Sequence, residues 1–215
     1  VPVALTEAEE AGFVPRYFSP GRFSFSSQQP LRVQPLLTPD NYADKILQLI
    51  ETASEKLYFQ NQSIGFAKNN YPQFLALINA LRRKAEQGVD VRIILRGDFQ
   101  PRQMLEALKM KGFDQSLIKF QRNCHTKGIV IDSRVAVVSS HNWTNSGTLF
   151  NRDAGLIFYD ERIARYYEEI FLYDWNTLAR HLVTEEIGMP LVADSETTAT
   201  PPGMMRIPWS VYYED

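Results

Sequence analysis

Two short apolar runs rich in β-branched residues, GIVID (128–132) and VAVVSS (135–140), stand side by side with only Ser133 and Arg134 between them. Val and Ile favour the pleated, half-buried surface of a sheet, so two such runs joined by so short a polar link read as a hairpin, although the link lacks glycine. Further strand signals surround it: LRVQPLL (31–37), KLYFQNQ (56–62), VRIILR (91–96), SLIKFQR (116–122) and DAGLIFYD (153–160). Helical patterns fall between them. Thr38 reads as an N-cap with Pro39 in the first turn, followed by Tyr42, Ile46, Leu47, Leu49 and Ile50 near a 3.6-residue period. A second helix starts at about Pro72, turns Phe74, Leu75, Ile78, Leu81 and Ala85 inward and stops before Gly88. A third runs from Arg102 to Lys111 and ends at Gly112, and a last amphipathic helix places Ile163, Tyr167, Ile170, Phe171 and Trp175 at core spacing. Strands alternating with helices and then a hairpin predict an α/β domain, a mixed β-sheet flanked by helices on both faces.

The pattern occupies residues 31–182. Residues 1–30, rich in Pro, Ser, Gly and Gln without sustained periodicity, read as a linker, and 183–215 as a C-terminal extension in which MMRIPWSVYY is a candidate to dock as an edge strand. A chain of 215 residues buries roughly 70% of its unfolded surface, enough for a real core. Formal net charge is −2 with both signs interspersed, so no global field recruits a polyanion; any such binding is local. The single cysteine, Cys124, excludes an internal disulfide framework and a cysteine-rich zinc site, and three widely spaced histidines do not make a metal cluster. No cofactor or metal is expected. No apolar run reaches the length of a membrane span, and the start VPVALTEAEEAG has neither the order of a signal peptide nor an initiator Met, which reads as a processed or excised chain.

Chemistry concentrates in CHTKGIVIDSRVAVVSSHNWT. On a strand, residues two apart share a face, so His125 and Lys127 present an imidazole beside an ammonium, and Ser140 and Asn142 repeat the spacing at the end of the partner run. A two-residue turn at Ser133 and Arg134 would set the two pairs opposite one another. A nucleophile, a cation and two neutral hydrogen-bonding groups suit a phosphodiester: neutral imidazole attacks phosphorus while Lys127 and Asn142 hold the non-bridging oxygens. Asp153, on the next strand, is the candidate carboxylate to orient the imidazole. The alternative reading, a hairpin whose polar face is only solvated, explains Lys127 and Ser140 equally well from spacing alone. Strand alternation turns His141 and Cys124 away from this face. Trp143 and Trp175 read as core residues, and His181, beside Arg180 near the end of the last helix, as a helix-terminal cation.

The set His125, Lys127, Asp132, Ser140 and Asn142 resembles the HxKxxxxD…GSxN motif of the phospholipase D superfamily, with Ser139 where that family usually has glycine. The segment QNQ (60–62) is similar to the ENQ strand end in the second half of two-motif members, with Gln60 in place of Glu. The resemblance spans roughly residues 31–178 and implies a metal-independent phosphodiesterase or phosphatidyl transferase with a phosphohistidine intermediate. It implies that Asp132 is structural, lying away from the phosphate although it belongs to the motif, and that Asp153 is the acidic partner of the histidine. It also implies a second HKD half, because two motifs meet across a pseudo-twofold axis. That half is an upstream domain of the same protein or a homodimer partner, and the linker-like start favours the former. Phospholipid is the preferred substrate over nucleic acid, given the missing basic stripe. The competing functions are an HKD nuclease acting as a homodimer and a non-catalytic interaction module with a retained phosphate site.

Overall fold

The computed structural model describes residues 17–18, 30–98 and 100–182. Almost all of the expected linker, and the whole expected extension with its docking segment, lie outside them. Among the described residues seven strands form one sheet: β1 (Val33–Leu37), β2 (Lys56–Asn61), β3 (Asp90–Arg96), β4 (Ile118–Gln121), β5 (Gly128–Ile131), β6 (Val135–Ser139) and β7 (Ala154–Phe158), in the order β1-β7-β6-β5-β2-β3-β4. The pairs β2–β3 and β3–β4 are parallel and the rest antiparallel. The sheet is mixed, as expected.

Five α-helices among the described residues accompany it: α1 (Tyr42–Glu51), α2 (Pro72–Glu86), α3 (Pro101–Met110), α4 (Asn145–Leu149) and α5 (Glu161–Tyr173), the last continuing as a π-turn over Asp174–Leu178. One sheet face turns Leu36, Phe59, Ile93, Ile129 and Ile157 into a core shared with Ile46, Phe74, Ile78 and Leu108 of the first three helices. On the other face Tyr58, Ile94 and Val130 meet Phe171 and Trp175. Each fully buried aliphatic or aromatic side chain contributes roughly 1.5–3 kcal/mol. Helix α5 covers only the middle of this second face. Val33 and Leu37 on β1, Leu156 on β7 and Val138 on β6 stay 36–40% exposed beside it.

The hairpin forms, with a different turn. The last ladder pair is Ile131 with Val135, so Asp132, Ser133 and Arg134 all lie in the connection. Asp132 and Ser133 take φ values of 50° and 55°, and the Arg134 N–H donates to the Ile131 carbonyl at 2.9 Å. Both central residues are thus left-handed, the twist that two strands need, supplied here without glycine. What holds Asp132 there is its carboxylate, which accepts from Ser54 N (2.9 Å), Ser54 Oγ (2.8 Å), Glu55 N (2.8 Å) and Lys56 N (2.8 Å).

Two more expectations change. Thr38 is not a helix cap: it is fully buried, and its N–H is committed to the Asp153 carbonyl at 3.1 Å. The helix starts four residues later, after Asn41, whose side chain accepts from Leu37 N and donates to Pro35 O. Helix α4 was not foreseen; Thr144 caps it by accepting from the Gly147 N–H.

Candidate active site

The ends of β2, β6 and β1 and the starts of β5 and β7 share one edge of the layered sheet, because β5 and β7 run opposite to their neighbours. His125, Lys127, Ser140, Asn142 and Asp153 all belong to this edge, just outside or at the limits of the strands. Asp132 does not. Five residues of near-extended chain from Lys127 place it roughly 16 Å away, at the opposite end of β5. Burial pushes its carboxyl up, but hydrogen bonds from Lys56, Glu55 and Ser54 together outweigh that and hold it below the usual carboxylate value. Asp132 therefore clamps the hairpin to the chain entering β2, at the end of β5 away from His125 and Lys127.

His125 is exposed, with no hydrogen bond to its imidazole among the described residues. Lys127 is only 6% exposed. Its ammonium donates to Gln62 Oε1 at 2.7 Å and to the His125 carbonyl at 2.8 Å, and no carboxylate lies within ion-pair distance of it among the described residues. Burial lowers its pKa, with the charges of Cys124 and Asp153 opposing. Gln62 closes the QNQ segment, so the third residue of that segment is the one that reaches the lysine. Gln60 instead points to the other core, donating to Gln121 Oε1 and Asp174 Oδ2, where burial raises the Asp174 carboxyl.

The three-residue turn alters the register that spacing suggested. Ser139, not Ser140, lies opposite Lys127, and its N–H donates to the Lys127 carbonyl at 3.0 Å. A shift of one residue exchanges the faces of a strand, so Ser140 is not the direct cross-strand neighbour of the lysine. The Ser140 hydroxyl donates to Asp153 Oδ1 at 2.7 Å and accepts from the Ala154 N–H at 3.1 Å. Its proton is spent on the carboxylate. Asp153 thus meets Ser140 and makes no hydrogen bond to His125, while its second oxygen is without a partner among the described residues. Ser139, in the place where glycine is usual, faces Gly155 on β7. A Cβ on residue 155 would sit 2.6 Å from the Ser139 Cβ, and also 3.0 Å from the Val138 carbonyl oxygen and 3.1 Å from the Ser139 Cα, so glycine is required there.

His141 turns away from the edge, as alternation predicts, and is fully buried. Its ring stacks on Tyr42 of α1, centroids 3.6 Å apart and 9° from parallel, and burial lowers its pKa to about 4 against the pull of Asp153. The Tyr42 hydroxyl accepts from Trp143 Nε1 at 2.9 Å. Asn61 Nδ2 donates to the His141 carbonyl at 3.0 Å. Cys124 is buried, donates weakly to the Asn61 carbonyl, and has its thiol pushed up to about 11 by burial, so it is a packing residue. Asn61, Gln62 and Tyr42 are the members of this region that spacing within the hairpin could not reveal; the QNQ segment carried the signal for two of them. Among the described residues no three His, Cys, Asp or Glu side chains are grouped so as to hold a metal ion, and no helix is long and apolar enough to cross a membrane.

Known proteins with this arrangement were found by sequence and by shape. Residues 46–175 match the family described as "Cardiolipin synthase, PLD-like domain". A phospholipase D from Rickettsia prowazekii is 29% identical over 156 residues, covering 71% of this chain and 70% of that protein. Among solved structures, the phospholipase D family member Nuc from Salmonella typhimurium superposes with a TM-score of 0.56 at 19% identity, covering 71% of this chain and 99% of the other. NucT from Helicobacter pylori gives 0.56 at 13% identity over 69% of this chain and 98% of the other. A phosphatidylserine synthase from Haemophilus influenzae gives 0.54 at 18% identity over 71% of this chain and 40% of the other. These likenesses of shape share the fold, and the family match, spanning more than half of the sequence, is the finding that assigns the chain to the PLD-like domain family of the phospholipase D superfamily.

Proposed function

We propose that this chain supplies one half of a metal-independent phosphodiesterase site whose nucleophile is His125. The observation that carries this is Lys127. A nearly buried ammonium with no carboxylate partner is costly unless an anion completes it, and this one lies next to the exposed imidazole of His125. Two of its three N–H donors are taken by Gln62 and the His125 carbonyl, which aim the remaining donor. A substrate phosphate is the anion that fits: Lys127 and the Asn142 amide hold its non-bridging oxygens and stabilise the charge that grows on them.

The neutral imidazole attacks phosphorus, the bond to the leaving alcohol breaks, and a phosphohistidine forms. Water, or a second alcohol in phosphatidyl transfer, then attacks phosphorus and releases the imidazole. The proton that the first leaving alkoxide takes, and the base that activates water, come from a second HKD half, since this chain has one motif. Ser140 supports this scheme as the residue that fixes the Asp153 carboxylate, and the free oxygen of Asp153 is the acceptor for the imidazolium once substrate brings the ring into line.

The exposed apolar strip of Val33, Leu37, Leu156 and Val138 is a surface on which such a half can dock, continuous with Ser140 and Ala154. An upstream domain is the preferred source of that half, a second copy the alternative, and phospholipid the preferred substrate. Residues 31–182 form the PLD-like domain in this reading. The test is turnover of bis(p-nitrophenyl) phosphate, a short-chain phosphatidylcholine and single-stranded DNA by the intact protein in EDTA, beside His125→Asn. Chelator-resistant turnover abolished by the substitution is expected; turnover that persists in His125→Asn sinks the proposal, and preference for DNA redirects the substrate class.

A further inference from the structure

We propose that His141 is a positioning residue for the phosphate-binding edge, acting through its stack on Tyr42; this rests on the phosphodiesterase reading above. The residue stands between Ser140 and Asn142, so whatever fixes its ring and carbonyl fixes the direction of both neighbours. Three elements do so. Tyr42 of α1 lies face to face with the ring at 3.6 Å, and Asn61 at the end of β2 holds the carbonyl. Two residues on, Trp143 is stapled to the chain just past β2, with Trp143 N donating to Ser63 O at 3.1 Å and Trp143 O accepting from Gly65 N at 2.9 Å. Trp143 Nε1 returns to the Tyr42 hydroxyl, which ties the stack to the staple.

The ring is an unexpected occupant of such a place. Both of its nitrogens are buried without a hydrogen-bond partner among the described residues, and so is Asn142 Oδ1 beside it. Buried unpaired polar atoms cost stability, and a residue serving packing alone would be apolar. What the imidazole provides is a flat, compact face that lies parallel to Tyr42 and forces Ser140 and Asn142 to the opposite side. With its oxygen buried, the Asn142 amide has only its nitrogen left to offer a ligand.

The experiment compares two substitutions in the intact protein. His141→Phe keeps a flat ring and removes the unpaired nitrogens, whereas His141→Leu fills the space without a flat face. Thermal melting checks that both fold. Two readouts follow: kcat and KM for bis(p-nitrophenyl) phosphate, and binding of inorganic phosphate by titration. The expected result is near-parental kcat/KM for His141→Phe and a fall of about tenfold to a hundredfold for His141→Leu, with weakened phosphate binding, because a displacement of about an ångström at a binding group costs on that scale. If His141→Leu matches His141→Phe, the ring only fills space and the proposal falls. If His141→Phe is as defective as His141→Leu, the imidazole nitrogens themselves act, which also overturns it. Phosphate binding ranks the variants even where no turnover is seen, so loss of the phosphodiesterase reading is distinguishable from loss of this one.

Discussion

The two ends of β5 are built on opposite rules. At one end Asp132 satisfies its carboxylate with four donors, in a turn whose left-handed backbone it helps to fix. At the other end His125 is exposed without a hydrogen bond to its ring, and Lys127 is buried without a counter-ion among the described residues. Hydrogen bonds to a charged group stabilise the fold when complete, and an incomplete set is where a ligand is bound. One motif written within eight residues therefore contains a finished joint and an unfinished socket, and substitutions at the two ends should separate stability from turnover.

The largest separation is expected from His125→Asn. Phosphodiester turnover should drop by about four orders of magnitude or to background, as for loss of a covalent nucleophile, while urea denaturation shows stability unchanged within about 0.5 kcal/mol, as for an exposed side chain. A smaller effect is expected from Lys127→Met. Turnover falls roughly a hundredfold or more with loss of the charge facing the phosphate, yet the melting temperature stays level or rises, because an uncompensated buried ammonium has gone. A marked loss of stability would mean that the ammonium is already satisfied, and the contrast would collapse.

Asp132→Asn is expected to behave in the reverse sense, losing about 2 kcal/mol in denaturant titrations through weakened hydrogen bonds to Ser54, Glu55 and Lys56, with turnover per folded molecule kept within a few-fold. Abolished turnover in a stable variant would move Asp132 back among the reacting groups. The smallest effect is in pH. The folded-state pKa of Asp132 is lowered, so its contribution is fully present above the unfolded value of about 4 and is lost as pH falls through the lower folded value. Stability curves of parent and Asp132→Asn should therefore converge in acid; parallel curves would deny the clamp.

Much of the fold was legible because long elements carry their own period. The helix at Pro72 lies where apolar spacing, an early proline and a following glycine put it, and the helix Pro101–Met110 lies within a residue of the 102–111 expected before Gly112. Short elements are decided by contacts that the sequence does not display. Helix α4 has five residues, too few for a period, and depends on the Thr144 cap. The hairpin turn is one residue longer than the local sequence suggests, because that sequence offers Ser133 and Arg134 as the link, whereas Asp132 joins the connection by reaching chain far away at residues 54–56. The same long-range logic explains the site. The residues of the edge were legible from spacing and resemblance, but the partners that aim them, Gln62 for Lys127 and Ser140 for Asp153, follow from how strands are ordered in the sheet.

Ser139 and Gly155 share a single allowance of volume between two neighbouring strands. With serine on β6, a methyl group on β7 has nowhere to go, so Gly155→Ala alone should push the two strands apart next to Asp153. Removing the serine side chain relieves only the closest contact, since the Val138 carbonyl oxygen at 3.0 Å and the residue-139 Cα at 3.1 Å stay in place, so Ser139→Gly should rescue Gly155→Ala in part. A departure from the usual motif at one position is thereby felt sixteen residues later at another, where the backbone already leaves room for little more than glycine.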